Sequence, residues 1–210
     1  MSQTSDLPLQ VFAGQSRIFK SGEYGPLWRV TEGAVRLDRE SGPQRLPVQL
    51  ALPGDLVGLE SLCDLPYQFT ATAFQECRLE RVPVADPAHR QALLRQALLQ
   101  QQERSHDMAT LRTGSVVQRV VHLLQLLGLP WQNLTALAGA QADAVRARLP
   151  ALRELALMID AKHETVCRAL AQLLPPRSRK GGPPRTSVPV GAGSVPWAAG
   201  PWQAFPAVAA

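Results

Sequence analysis

Cysteine is scarce in this chain: Cys63, Cys77 and Cys167 are the three in 210 residues. They lie far apart, and no pair has metal-ligand spacing. That excludes a disulfide framework and suits a reducing compartment. Long hydrophobic runs are also missing. Nothing approaches the roughly eighteen consecutive apolar residues that cross a bilayer. No basic start followed by an apolar stretch marks a signal peptide. A cytoplasmic protein with no membrane partner is therefore expected. Catalytic signatures are absent as well. There is no Gly-rich phosphate loop and no His-Glu-x-x-His, and Ser61 and Thr70 have no His or Asp partner at readable spacing. An enzyme is not expected, and neither catalytic residues nor metal ligands are assigned.

Hydrophobic residues make up 45% of the chain, enough for one or two small cores. The charge is uneven. Residues 1–112 hold 12 Lys and Arg against 13 Asp and Glu, whereas residues 113–210 hold 10 against 4. A neutral front joined to a basic back suggests a regulatory part attached to a part that binds a polyanion. An ordinary basic surface would give the same count.

Four segments follow from pattern. Residues 1–86 alternate apolar and polar positions in short runs such as LWRVTEGAVRLD and YQFTATAFQECRLERVPV. Gly33, Gly42, Gly54 and Gly58 stand where turns are needed, and Pro53-Gly54-Asp55 is a strong turn signal. Short, evenly spaced strands predict a small barrel or rolled antiparallel sheet. Residues 87–112 form one long helix without internal Pro or Gly. Leu94, Gln101 and Met108 share a heptad spacing, as do Ala97, Arg104 and Leu111, with Leu93 and Leu98 beside them. The helix either pairs with its copy in a homodimer or packs only on its own sheet; its length favours the dimer. Residues 113–175 hold SVVQRVVHLLQLLGL, an apolar helix stopped by Gly128 and Pro130, then a stretch with no clear period, then a helix pair. Residues 176–210 are rich in Pro, Gly and Ala and are expected to be disordered. Trp197 and Trp202 within them could anchor a partner, although an uncoupled tail is the simpler reading.

The helix pair LRELALMIDAKHETVCRALAQL has the frame of a helix-turn-helix. Ala156 is small enough for close helix contact. Asp160 falls at the turn and tolerates left-handed backbone, and Val166 faces back from the second helix. The second helix then presents Lys162, His163, Glu164, Thr165 and Arg168 outward. Arg and protonated His donate to guanine, Glu accepts from cytosine, and Lys and Thr reach phosphates. A solvated polar face is the plain alternative; the Ala156–Asp160–Val166 frame favours double-stranded DNA. A dimer would bring two copies of this helix to a roughly palindromic operator.

Over roughly residues 25–174 the chain resembles Crp/Fnr-type bacterial transcription regulators. LWRVTEGAVRL, LALPGDLVGLESL and FTATAFQECRLERVP resemble the β-roll of cyclic-nucleotide-binding-like domains. VVQRVVHLLQLLG resembles the family's segment after the long helix, and RELALMIDAKHETVCRALAQL its recognition motif. The resemblance implies an α+β architecture: an N-terminal β-roll, a long dimerisation helix and a C-terminal, winged helix-turn-helix. It implies Glu164 and Arg168 as base readers, with Lys162 and Thr165 at the DNA backbone and His163 where many members carry Arg. RNA polymerase is a further candidate partner. The effector pocket would fall at Gly58, Glu60, Ser61, Phe69 and Thr70. Phe69 occupies the position of the Arg that pairs with a cyclic phosphate, so a phosphate there would lose its charge-assisted partner. Cyclic AMP is therefore not expected, and no other cofactor is predicted. The N-terminal Cys cluster of iron–sulfur members is absent.

A wing is the family's usual ending, but Pro175 and Pro176 stop the last helix and RSRKGGPPRTS shows no strand alternation. Arg177, Arg179, Lys180 and Arg185 read either as a phosphate-binding arm or as a solvated tail. The alternative function is a haem- or redox-responsive switch using Cys63, Cys77 or a front-half His. Buried structural Cys is the commoner fate of such residues.

Overall fold

The computed structural model describes residues 9–42, 44–130, 132 and 139–175. The expectations for residues 176–210, including the wing, the basic arm and the tail, lie outside the described residues.

Among the described residues, eight strands build two four-stranded sheets. They are β1 (Gln10–Phe12), β2 (Arg17–Phe19), β3 (Trp28–Glu32), β4 (Val35–Ser41), β5 (Gln44–Ala51), β6 (Leu56–Val57), β7 (Thr70–Ala73) and β8 (Cys77–Arg81). The orders are β1-β8-β3-β6 and β2-β7-β4-β5, antiparallel throughout. This is the jelly-roll arrangement, in which two Greek keys close over one apolar interior. The expected α+β architecture with a β-roll is what forms. Val35 and Leu37 of β4 point inward and join Trp28, Val30, Ala71 and Leu79. The glycines expected at turns all have positive φ. Gly33 is the most constrained: at φ +79° a Cβ would lie 2.2 Å from the Glu76 carbonyl oxygen, so no side chain fits.

Helix α1 (Pro87–Thr110) starts on the Asp86 cap, whose carboxylate accepts from His89 N–H at 2.7 Å, with Pro87 in its first turn. It buries Leu93, Ala97, Gln100 and Met108 on its own roll, and Leu111 follows just past its end. Gln100 explains why a polar residue sits there. Its amide accepts from Leu56 N–H at 2.7 Å and donates to Leu56 C=O at 2.8 Å. Strand β6 is a sheet edge, so Gln100 takes the place of the missing neighbour strand. The face of α1 therefore differs from the heptad reading. Ala97, Met108 and Leu111 face inward and Arg104 pairs with Asp55, 2.9 Å away, leaving Leu94 and Leu98 outward, while the exposed Gln101 lines a small void of the roll with Leu37 and Phe69.

Four helices follow: α2 (Val116–Leu126), α3 (Gly139–Arg148), α4 (Leu152–Met158) and α5 (His163–Leu173). A capping box opens α2, with Ser115 and Gln118 each satisfying the other's backbone N–H. Helix α3 falls where the sequence showed no clear period; Ala142 and Val145 are its buried anchors. Val120, Leu123, Leu124, Leu155, Met158, Ile159 and Val166 form one cluster. It extends onto the roll through Ala34, Leu50, Leu52 and Phe74. Among the described residues no helix is long and apolar enough to cross a membrane.

Candidate nucleic-acid interface and sensor pocket

The turn between α4 and α5 is built from backbone rules. Asp160 sits at φ +50°, left-handed, as its place in the frame requires. Ala161 N–H bonds to Ala156 C=O at 3.0 Å, and Asp160 N–H to Leu157 C=O at 3.4 Å. These two bonds make a Schellman motif, which ends α4 by satisfying carbonyls that would otherwise have no partner. Ala156 is 7% exposed and Val166 fully buried, so both supply the apolar contact that the spacing implied.

With Val166 and Ala169 turned inward, α5 directs its other side outward. Lys162, His163, Glu164, Thr165 and Arg168 are all exposed and occupy the first turns of the helix. His163 Nε2 lies 3.3 Å from Glu164 Oε1, both about 60% exposed, a pair that solvent leaves weak. Lys162 is the N-cap and provides no side-chain cap. The His163 and Glu164 N–H groups are thus open to an anion, with a lysine beside them, whereas Thr165 and Val166 N–H bond to Lys162 C=O at 3.0 and 3.1 Å.

Sequence reading missed the residue that holds this turn in place. Arg119 of α2 donates through Nη1 to Ile159 C=O at 3.1 Å and Asp160 C=O at 3.3 Å. Its Nε and Nη2 donate to Gly114 C=O at 3.1 and 2.9 Å. One planar fork ties the turn to the elbow between α1 and α2. Nothing local marks Arg119; it reads as one more polar position on α2.

A second missed group links β4 to α4. Arg36 forks onto Asp38 through Nε at 2.7 Å and Nη2 at 2.8 Å, and its Nη1 donates to Glu154 of α4. Arg36 is 2% exposed and Asp38 fully buried.

The residues expected to form an effector pocket are only partly brought together. Gly58, Glu60 and Phe69 line a small void with Phe19, Leu37 and Gln49; Ser61 and Thr70 do not. The polar groups are engaged locally. Glu60 accepts from Gln68 N–H at 2.9 Å, Ser61 donates to Gly58 C=O at 2.7 Å, and Thr70 donates to Glu40 at 2.8 Å. The void measures about 40 Å³. Small-molecule sites are typically about 300–1,000 Å³, so this one has room for a water or two. The Gln49 amide nitrogen, buried beside it, has no hydrogen-bond partner among the described residues.

No protein-family model and no curated protein matches the chain. Solved structures do. A CRP-family transcriptional regulator from Thermus thermophilus is 27% identical, with 78% of this chain and 83% of that one covered and a TM-score of 0.58. A CRP/FNR-family regulator from the same organism is 26% identical, with 79% and 85% covered and a TM-score of 0.52. FixK2 from Bradyrhizobium japonicum, 22% identical with a TM-score of 0.55, shares the fold across 80% of this chain and 84% of its own. The protein is a β-roll joined to a helix-turn-helix. The resemblance to Crp/Fnr-family regulators, drawn from the sequence motifs, holds in three dimensions.

The cysteines differ sharply in surroundings. Cys63 and Cys167 are exposed and Cys77 is buried. Burial, with Glu76 adding repulsion, pushes the Cys77 thiol up to about 12. The thiolate is the reactive form, so Cys77 is inert near neutral pH. No group of three or more His, Cys, Asp or Glu side chains is placed to hold a metal among the described residues. Iodoacetamide at pH 7.5 should alkylate native Cys63 and Cys167 at least about a hundredfold faster than Cys77. Peptide mass spectrometry reads the order, and rapid native labelling of Cys77 would contradict its placement.

Proposed function

We propose that this protein is a dimeric DNA-binding transcription regulator. Residues 1–86 form its sensor part, 87–112 pair two copies, and 113–175 carry the DNA-reading helix pair. The observation that carries this reading is the outward face of α5, where Lys162, His163, Glu164, Thr165 and Arg168 project from a helix locked by the Asp160 turn. Arg168 and Glu164 are the base readers, Lys162 and Thr165 meet phosphates, and His163 adds a donor at the leading edge. The transcription regulators among the solved structures support the same reading.

The dimer surface is the outward stripe of α1. Leu94 and Leu98 are 39% and 61% exposed, one helical turn apart. Apolar residues at that spacing on a long helix suit a partner helix. The sensor part does not take a cyclic nucleotide: Phe69 offers no charge to a phosphate, and a void of about 40 Å³ cannot admit one.

Fluorescence-anisotropy titration on cognate and scrambled duplexes at two salt concentrations tests the reading face. Arg168→Ala should cost about 1–3 kcal/mol on the cognate duplex and little on the scrambled one. Lys162→Ala should weaken both alike and reduce the salt slope by about one. Equal losses from both variants on both duplexes would remove α5 as the reading helix. In sedimentation at micromolar concentration the protein should be a dimer and Leu98→Glu a monomer; a wild-type monomer would refute the pairing. Calorimetric titration with cyclic AMP should show no micromolar binding, and saturable heat in that range would overturn the sensor assignment.

A further inference from the structure

We infer that Glu154 and Arg36 form a positioning contact that sets the recognition helix relative to the roll, and through it the half-site spacing the dimer accepts. The inference rests on the DNA-binding reading above and adds a residue pair that touches no DNA. Arg36 and Asp38 lie on the outer face of β4, where alternation would leave them in water. They are instead buried, with Arg36 reaching Glu154 of α4. Arg36 fills two donors on Asp38 and directs Nη1 to Glu154, a residue 118 positions further along the chain.

The arrangement is asymmetric in a useful way. Arg36 and Asp38 neutralise each other within the roll whether or not α4 is present. Glu154, 21% exposed, is the member that comes from the other side. The apolar contacts of Leu50, Leu52, Ala34 and Phe74 favour docking but are non-directional, and they tolerate sliding. A charge-assisted hydrogen bond to a guanidinium fixed by its own fork has direction, so it selects one docked angle. Glu154 stands in the first turn of α4, whose far end carries the Asp160 turn and then α5. A change of angle at Glu154 is therefore passed to the reading face, and in a dimer it is applied twice.

Glu154 is the residue to change, because its loss leaves Arg36 paired and the roll intact, whereas loss of Arg36 strands the buried Asp38. The probes are palindromic duplexes whose half-site spacer is stepped by single base pairs. Wild type should prefer one spacer. Glu154→Ala should lose roughly 2- to 30-fold at that spacer and bind its neighbours more evenly. Glu154→Gln, which keeps an acceptor for Arg36, should recover most of the preference, and Glu154→Lys should lose more than Ala. A merely structural role would lower affinity at all spacers alike, so an unchanged spacer profile in Glu154→Ala overturns the inference. A second arm uses no DNA. Trypsin cleavage after Arg112, in the elbow, should be faster in Glu154→Ala and Glu154→Lys than in wild type or Glu154→Gln. If wild type binds none of the duplexes, the DNA-reading proposal fails, and the trypsin arm alone decides whether the contact holds the angle; equal cleavage of all four proteins overturns it.

Discussion

A rolled sheet can bury only one face in its own interior, and in this protein the outer face of β4 and β5 is not left to water. Leu50 and Leu52 point outward and are apolar, so something must cover them. The end of α1 and the helices that follow supply that cover, and the rest of the arrangement depends on it. Burying Arg36 and Asp38 forces them to pair. Burying the edge at Leu56 calls for Gln100. The helix-turn-helix then shares one apolar cluster with the roll through Ala34, Leu50, Leu52 and Phe74, while a cleft of about 820 Å³ opens beside it between Glu32, Glu76, Gly128 and Arg148.

Much of this was legible in short stretches of sequence. The alternation through Val35 and Leu37 and the turn glycines marked out the roll, because each depends on neighbours a few residues away. Ala156, Asp160 and Val166 marked the helix pair for the same reason: a Schellman turn is a local object. The outward set on α5 followed once Val166 was placed. What could not be read depends on distant contacts. Arg36 looks solvated until Glu154 reaches it from 118 residues away, and Arg119 looks ordinary until the carbonyls of Ile159 and Asp160 arrive. The heptad on α1 mixed two faces, because a roll-facing stripe and a partner-facing stripe have nearly the same period: Ala97, Met108 and Leu111 turn inward and Leu94 outward. Polar residues with roll partners, Arg90, Gln96, Gln100 and Arg104, mark the roll-facing side.

The sensor pocket shows a different limit. The resemblance sets Phe69 where a phosphate-pairing Arg would stand, but it does not say what occupies the space around it. In the folded chain Tyr67 stacks on Phe19 with ring centroids 3.9 Å apart, and its hydroxyl donates to Pro26 C=O. At Gly58, held at φ +76°, a Cβ would meet the Tyr67 ring. Aromatic packing fills this part of the roll beside Gly58, a result of volumes and not of motif.

Arg119 has a mechanical meaning beyond its four hydrogen bonds. Gly114, at φ +79°, is where the chain swings from α1 into α2, and the same guanidinium grips both that glycine and the far turn. The elbow after α1 and the turn ahead of α5 are thus tied through a single side chain. A side chain lost at Arg119 would therefore leave two distant backbone segments short of a donor at once, the carbonyl of Gly114 and those of Ile159 and Asp160.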